Sequence, residues 1–116
     1  MNDIKTKADF ERAVNGGGNK LVLFHSGYCP FCASFLPAFE KRAKSAPGFF
    51  ARVSTDALPD LEDAFSVEVV PTLLFFKQGK LAARLDGALG RGISAEKFLA
   101  FAEACGAPGE KTDEKK

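Results

Sequence analysis

Leu21-Val22-Leu23-Phe24 and Thr72-Leu73-Leu74-Phe75-Phe76 are apolar on both alternating faces. That pattern predicts strands buried in the middle of a sheet with helices above and below. Phe49 to Thr55 reads as a further strand, and Gln78-Gly79 as a tight turn into Leu81, Ala83 and Leu85, which alternate with Ala82, Arg84 and Asp86 as in an antiparallel hairpin. Between these segments the apolar period changes to that of a helix. Thr6 caps a helix over 7–15 with Phe10, Ala13 and Val14 on one face. Pro30 opens a second, over about 30–45, with a stripe of Phe31, Phe35, Leu36, Phe39 and Ala43, and Pro37 predicts a bend near 33–37. Pro59 opens a short third helix on which Leu58, Leu61 and Phe65 share a side. Ser94 caps the last, where Phe98, Phe101, Ala102 and Cys105 form the stripe before Gly106. The pattern describes an α/β protein, a mixed sheet of four or five strands layered between helices, the fifth depending on whether the stub around Ile4 pairs.

The chain has 116 residues, 46% hydrophobic and 27% charged, which suits one domain with an ordinary core and needs no scaffold of disulfides or metal. The domain is expected over 1–108, with 109–116, GEKTDEKK, as a disordered charged tail. A net charge of +1 with no basic block in the body argues against nucleic acid as a partner. The longest apolar run, Phe98 to Ala102, is five residues, against about 20 for a membrane span, so no membrane partner is expected. The N-terminal stretch mixes charged and apolar residues without a signal-peptide core, and the expected location is the cytoplasm.

Three cysteines are present, and two form Cys29-Pro30-Phe31-Cys32 where a buried strand hands over to a helix. In that context a C-x-x-C pair reads as redox active. Cys29 falls at the helix N-terminus, where unpaired N–H groups and the helix dipole stabilise a thiolate. Cys32, one turn further in, is expected to be packed beneath it and to stay protonated until its turn comes. One sulfur would attack and the other resolve. The bland alternatives are two structural thiols, or half of a zinc site whose other ligand pair the chain does not supply.

The YCPFC motif, Pro37 five residues after Cys32, VVPTLLFFKQGK and DGALG follow one another in an order and spacing that resembles the thioredoxin superfamily over residues 4–105. The resemblance implies a thioredoxin-like three-layer α/β/α fold and a thiol-disulfide oxidoreductase that reduces protein disulfides, with Cys29 as nucleophile and Cys32 as resolving thiol. It implies that Pro71 is a cis-proline facing the cysteine pair and that Val70 offers backbone groups to an extended substrate, while Gly79 holds the hairpin and Gly87 the neighbouring loop floor. It further implies disulfide-containing client proteins, an upstream thioredoxin-reductase-like electron donor, a monomer, and no cofactor or metal. Two departures stand out. Tyr28 precedes Cys29 and Pro30-Phe31 separates the cysteines, as in glutaredoxins rather than thioredoxins proper. Leu23 stands where the family has a buried Asp, and His25 where a Trp is usual, so water or His25 would have to take the proton of the resolving thiol.

His25 is a possible modulator of the active-site thiol if cationic, although packing under Tyr28 is the favoured reading. Arg52, at the family's Lys position, loses its usual partner with Leu23 present and reads as a surface charge. Cys105 reads as a buried helix-end residue. Tyr28, Phe31 and Pro71 are expected to form an apolar platform for clients, with Pro30, Val70 and Pro71 completing the substrate contacts. Two alternatives remain at this level: a non-catalytic module that binds peptides in the groove around Val70, Pro71 and Tyr28, and a glutaredoxin-like carrier of an iron-sulfur cluster.

Overall fold

In a computed structural model describing residues 2–16 and 18–108, β1 (Asn2–Ile4) leads through α1 (Lys7–Asn15) to β2 (Asn19–His25) and α2 (Pro30–Ala43). There follow β3 (Phe50–Ser54), α3 (Pro59–Ala64), the hairpin β4 (Thr72–Lys77) and β5 (Lys80–Asp86), and α4 (Ala95–Ala104). The five strands form one sheet in the order β1-β3-β2-β4-β5. β3 runs parallel to both β1 and β2, whereas β4 is antiparallel to β2 and β5. The stub around Ile4 therefore does pair, giving the five-strand form of the mixed sheet. The segment 109–116 lies outside the described residues.

The helix ends follow their side chains. Thr6 Oγ1 accepts from the Asp9 N–H at 3.0 Å, and Ser94 Oγ from the Lys97 N–H at 3.1 Å, each filling a donor that the first turn leaves without a partner. α2 continues across Pro37 and ends at Ala43, two residues short of the predicted limit, in a turn through Lys44 and Ser45. Gln78 and Gly79 both have positive φ, +51° and +88°, the backbone of a tight hairpin turn whose twist matches the strands it joins.

Alternate residues of the central strands feed two cores. Leu21, Leu23, Phe50, Leu73 and Phe75 meet Phe35 and Phe39 of α2 and Phe98 and Ala102 of α4. On the other face Val22, Phe24, Ala51, Val53, Leu74 and Phe76 meet Phe10 and Val14 of α1 and Leu61 of α3. This is the three-layer α/β/α arrangement expected from strands apolar on both faces. One hairpin residue departs from it. Leu81, expected beside Ala83 and Leu85, is opposite Phe76 while Ala83 is opposite Phe75, because an irregularity between Phe75 and Phe76 skips one residue of β5. The extra residue turns Leu81 to the opposite face, where it is exposed.

Phe39 sits at the centre of the first core, its ring 5.7 Å from Phe50 edge-on, 5.5 Å from Phe98 and 6.1 Å from Phe35. Replacing it by Ala should cost about 3–5 kcal/mol of unfolding free energy in urea titration. A loss under about 1 kcal/mol would show that this core does not hold α2 to the sheet.

Candidate active site

β2 is buried from Leu21 to Phe24 and delivers the chain to a four-residue loop, 26–29, at one edge of the structure, where α2 begins. Cys29 is the N-cap of that helix, with extended backbone. Its carbonyl accepts from the N–H groups of Cys32 and Ala33, both at 3.1 Å, and its Sγ from the Cys32 N–H at 3.2 Å. The sulfur thus occupies the place usually held by a Ser or Asp oxygen, where a donated N–H and the helix dipole favour negative charge. Pro30 fills the first helical position, which needs no N–H.

Cys32 is 1% exposed, lying one turn inside the helix. Burial first, and then the hydrogen bond with the Cys29 sulfur, push its thiol up to about 12. Both cysteines are free thiols here, and Cys29 keeps a partly exposed sulfur above a sealed one. Cys105, expected to be buried, is half-buried at the C-cap of α4, packed against the first core, and burial pushes its thiol up to about 11.

The Val70–Pro71 peptide is cis, and Cys29 Sγ donates to the Val70 carbonyl at 3.4 Å, so the strand entering β4 passes directly beside the exposed sulfur. Thr72 is fully buried; its Oγ1 donates to the Val69 carbonyl and accepts from the Gly87 N–H at 3.4 Å, tying that approach to the end of β5. A side chain at Gly87 would collide with the Pro71 carbonyl, which fits the floor role expected of this glycine.

Around the sulfur, Tyr28 is 90% exposed and Phe31 39%. Pro71, expected in the same apolar platform, is buried instead, because the backbone at Gly87 closes over it. Leu89, in the loop after β5, is 87% exposed. Leu89 tips a turn closed by reciprocal hydrogen bonds between Ala88 and Gly92 of 3.0 and 2.8 Å. Gly92 abuts Phe31: a Cβ there would come within 2.8 Å of the Phe31 Cβ. The dipeptide between the cysteines is thereby braced by the loop leading to α4.

His25 ends β2 half-buried and lines a cavity of about 410 Å³ with Asp3, Leu36, Arg52 and Ser54, rather than packing under Tyr28. Burial, then the nearby Arg52 charge, lowers its pKa against the smaller pull of Asp3 and Asp56. Arg52 is likewise not the unpartnered surface charge its sequence context implied. It pairs with Asp3 of β1 and, at 2.8 Å, with Glu40 of α2, replacing a buried partner on β2 by two carboxylates on flanking elements. Sequence reasoning also missed Ser26 and Asp56. Ser26 Oγ donates to both Asp56 oxygens at 2.9 and 3.0 Å, and the Gly27 N–H donates to Asp56 Oδ2 at 2.9 Å. The only signal for the pair was positional: β2 and β3 run parallel with His25 opposite Ser54, so both leave the sheet at the same edge. Among the described residues no group of three or more His, Cys, Asp or Glu could hold a metal ion, and no helix is long and apolar enough to cross a membrane.

A helix-capping thiol, a sealed second thiol and a neighbouring cis-proline on a five-stranded α/β sheet define a dithiol redox protein. The thioredoxin family model matches residues 2–103. The chain is 34% identical to thioredoxin of Geodia cydonium over 80% of its own length and 92% of that protein's, and 32% identical to Thioredoxin-1 of Saccharomyces cerevisiae over 76% and 86%. The crystal structure of Fasciola hepatica thioredoxin superposes with a TM-score of 0.79 at 29% identity, covering 90% of this chain and 98% of that one. The chain belongs to the thioredoxin family and is a thiol-disulfide oxidoreductase.

The Cys32 shift has a consequence for stability. A thiol raised by folding from 9.0 to about 12 contributes stability that is complete below about pH 9 in the reduced protein and is lost as pH rises toward 12. Urea titrations of the reduced protein should therefore fall more steeply with pH above about 9 than those of Cys32→Ala. Parallel curves for the two would mean that the buried thiol ionises as easily folded as unfolded.

Proposed function

We propose that the chain is a reductant of protein disulfides in which Cys29 attacks and Cys32 resolves. The observation that carries the reading is the inequality of the two sulfurs: one caps a helix beside an open backbone carbonyl, the other is sealed and held protonated. The Cys29 thiolate attacks one sulfur of the client. The client S–S bond breaks, a bond to Cys29 forms, and the displaced sulfur leaves as a thiolate that takes up a proton. Cys32 then gives up its proton and attacks the Cys29 sulfur, closing the Cys29–Cys32 disulfide and freeing the second client thiol. Two electrons pass to the client, and a thioredoxin-reductase-like donor returns them. Val70 offers backbone groups to an extended client segment alongside Cys29, and Tyr28, Pro30 and Phe31 offer apolar contact, with Pro71 shaping the groove from beneath. A reducing compartment such as the cytoplasm suits this direction of flow, and a monomer suffices for it.

Insulin reduction with dithiothreitol as donor tests the assignment. Cys29→Ser should abolish stimulation, whereas Cys32→Ser should accumulate a mixed disulfide between position 29 and insulin, visible by mass spectrometry. Full activity of Cys29→Ser, or a trapped adduct at position 32 instead, would reverse the roles. Client capture undiminished in Cys29→Ser would favour a peptide-binding module.

A further inference from the structure

The sheet holds the chain up to His25, whose carbonyl accepts from the Thr55 N–H at 2.8 Å, and α2 holds it from Pro30 onward. Between them residues 26–29 carry the nucleophile across a span in which Gly27 and Tyr28 are exposed. Keeping such a segment in one conformation works against its backbone entropy. The bonds that oppose this converge on Ser26. Its hydroxyl donates to the Asp56 carboxylate, 2.9 and 3.0 Å from the two oxygens, and accepts from the Tyr28 N–H at 3.2 Å, while its carbonyl accepts from the Cys29 N–H at 3.3 Å. Asp56 also takes the Gly27 N–H at 2.9 Å. The carboxylate has a firm seat: Thr55 before it is bonded to His25, and the Ala57 and Leu58 N–H groups after it donate to the Ser54 carbonyl at 3.2 and 3.0 Å.

We propose that Ser26 is a positioning residue for the attack of Cys29 on a client disulfide, with Asp56 as its anchor. The Cys29 sulfur stands 3.2 Å from the Cys32 nitrogen and 3.4 Å from the Val70 carbonyl oxygen, a place that registers it against the segment beside which an extended client lies. Displacement at sulfur needs the incoming thiolate in line with the bond that breaks, so a loop free to wander spends less time in the productive geometry. Ser26 and Asp56 fix this loop from the β3 side, and α2 fixes it from the other. In the step itself a bond forms between Cys29 and one client sulfur, the client S–S bond breaks, and the displaced sulfur leaves as a thiolate that takes a proton from water. Ser26 neither gives nor receives a proton; it acts only through where it holds Tyr28 and Cys29.

The proposal rests on the assignment of Cys29 as nucleophile, and the test separates the two. In the full chain carrying Cys32→Ser the mixed disulfide between Cys29 and insulin persists, and mass analysis of quenched samples gives the rate at which it forms. No adduct at Cys29 in that chain would sink the assignment itself. Tyr28 is the single tyrosine and the chain has no tryptophan, so the fluorescence anisotropy of the protein alone reports the motion of this loop. Adding Ser26→Ala or Asp56→Ala should lower the anisotropy and slow adduct formation about threefold or more, as the loss of one hydrogen bond implies. Both changes together should slow it no further than Asp56→Ala does, because they cut the same tether. A smaller slowing, a slowed rate at the parent's anisotropy, or effects that multiply in the double variant would each overturn the proposal. A lowered melting temperature with the parent's rate would likewise overturn it, by reducing Ser26 to a structural clamp. Thermal melts show which variants fold, and should either single variant not fold, the rate and anisotropy of the other decide alone.

Discussion

The docking of the first turn of α2 against the mouth of β2 is the contact on which the chemistry depends. It places two sulfurs three residues apart in unlike surroundings: Cys29 receives an N–H at the helix cap, and Cys32 is folded under it out of water. The phenylalanine core beneath keeps that helix end in place. Phe35 and Phe39 anchor the next two turns on Phe50 and Phe98, so α2 cannot slide along the sheet without losing several aromatic contacts together.

The rest of the site is assembled from the ends of other elements. The approach to β4 supplies Val70, the turn after β3 supplies Asp56, and the loop after β5 supplies Gly92. None of these segments is near Cys29 in the chain. They converge because β2 lies between β3 and β4 in the sheet, so that the parallel neighbour on one side and the antiparallel neighbour on the other both present an end at the same edge.

Much of this was legible in the sequence. Runs apolar on both faces marked β2 and β4 because a central strand has no polar face, and Thr6, Pro30 and Ser94 marked helix starts because the first turn has donors to fill. What escaped depended on pairings that no local pattern encodes. Leu81 changed face through a register irregularity, and Arg52 found Asp3 and Glu40 on elements distant in the chain. His25 looked close to Cys29 in sequence, yet it ends a strand whose side chains alternate, and its side faces the Asp3 and Arg52 cavity. Pro71, expected on the apolar platform, is covered by the approach of Gly87, a contact between segments that no local pattern encodes. The Pro30-Phe31 pair resembles glutaredoxins, whereas the thioredoxin family model matches residues 2–103.

The unequal reactivity of the two sulfurs is measured most directly by timed alkylation of the reduced, folded chain with iodoacetamide at neutral pH, followed by peptide mass mapping. Carboxamidomethylation should reach Cys29 faster than any cysteine of the same chain in denaturant, with Cys32 and Cys105 lagging well behind. Equal rates at Cys29 and Cys32, or a rate at Cys29 no greater than in the denatured chain, would contradict the account.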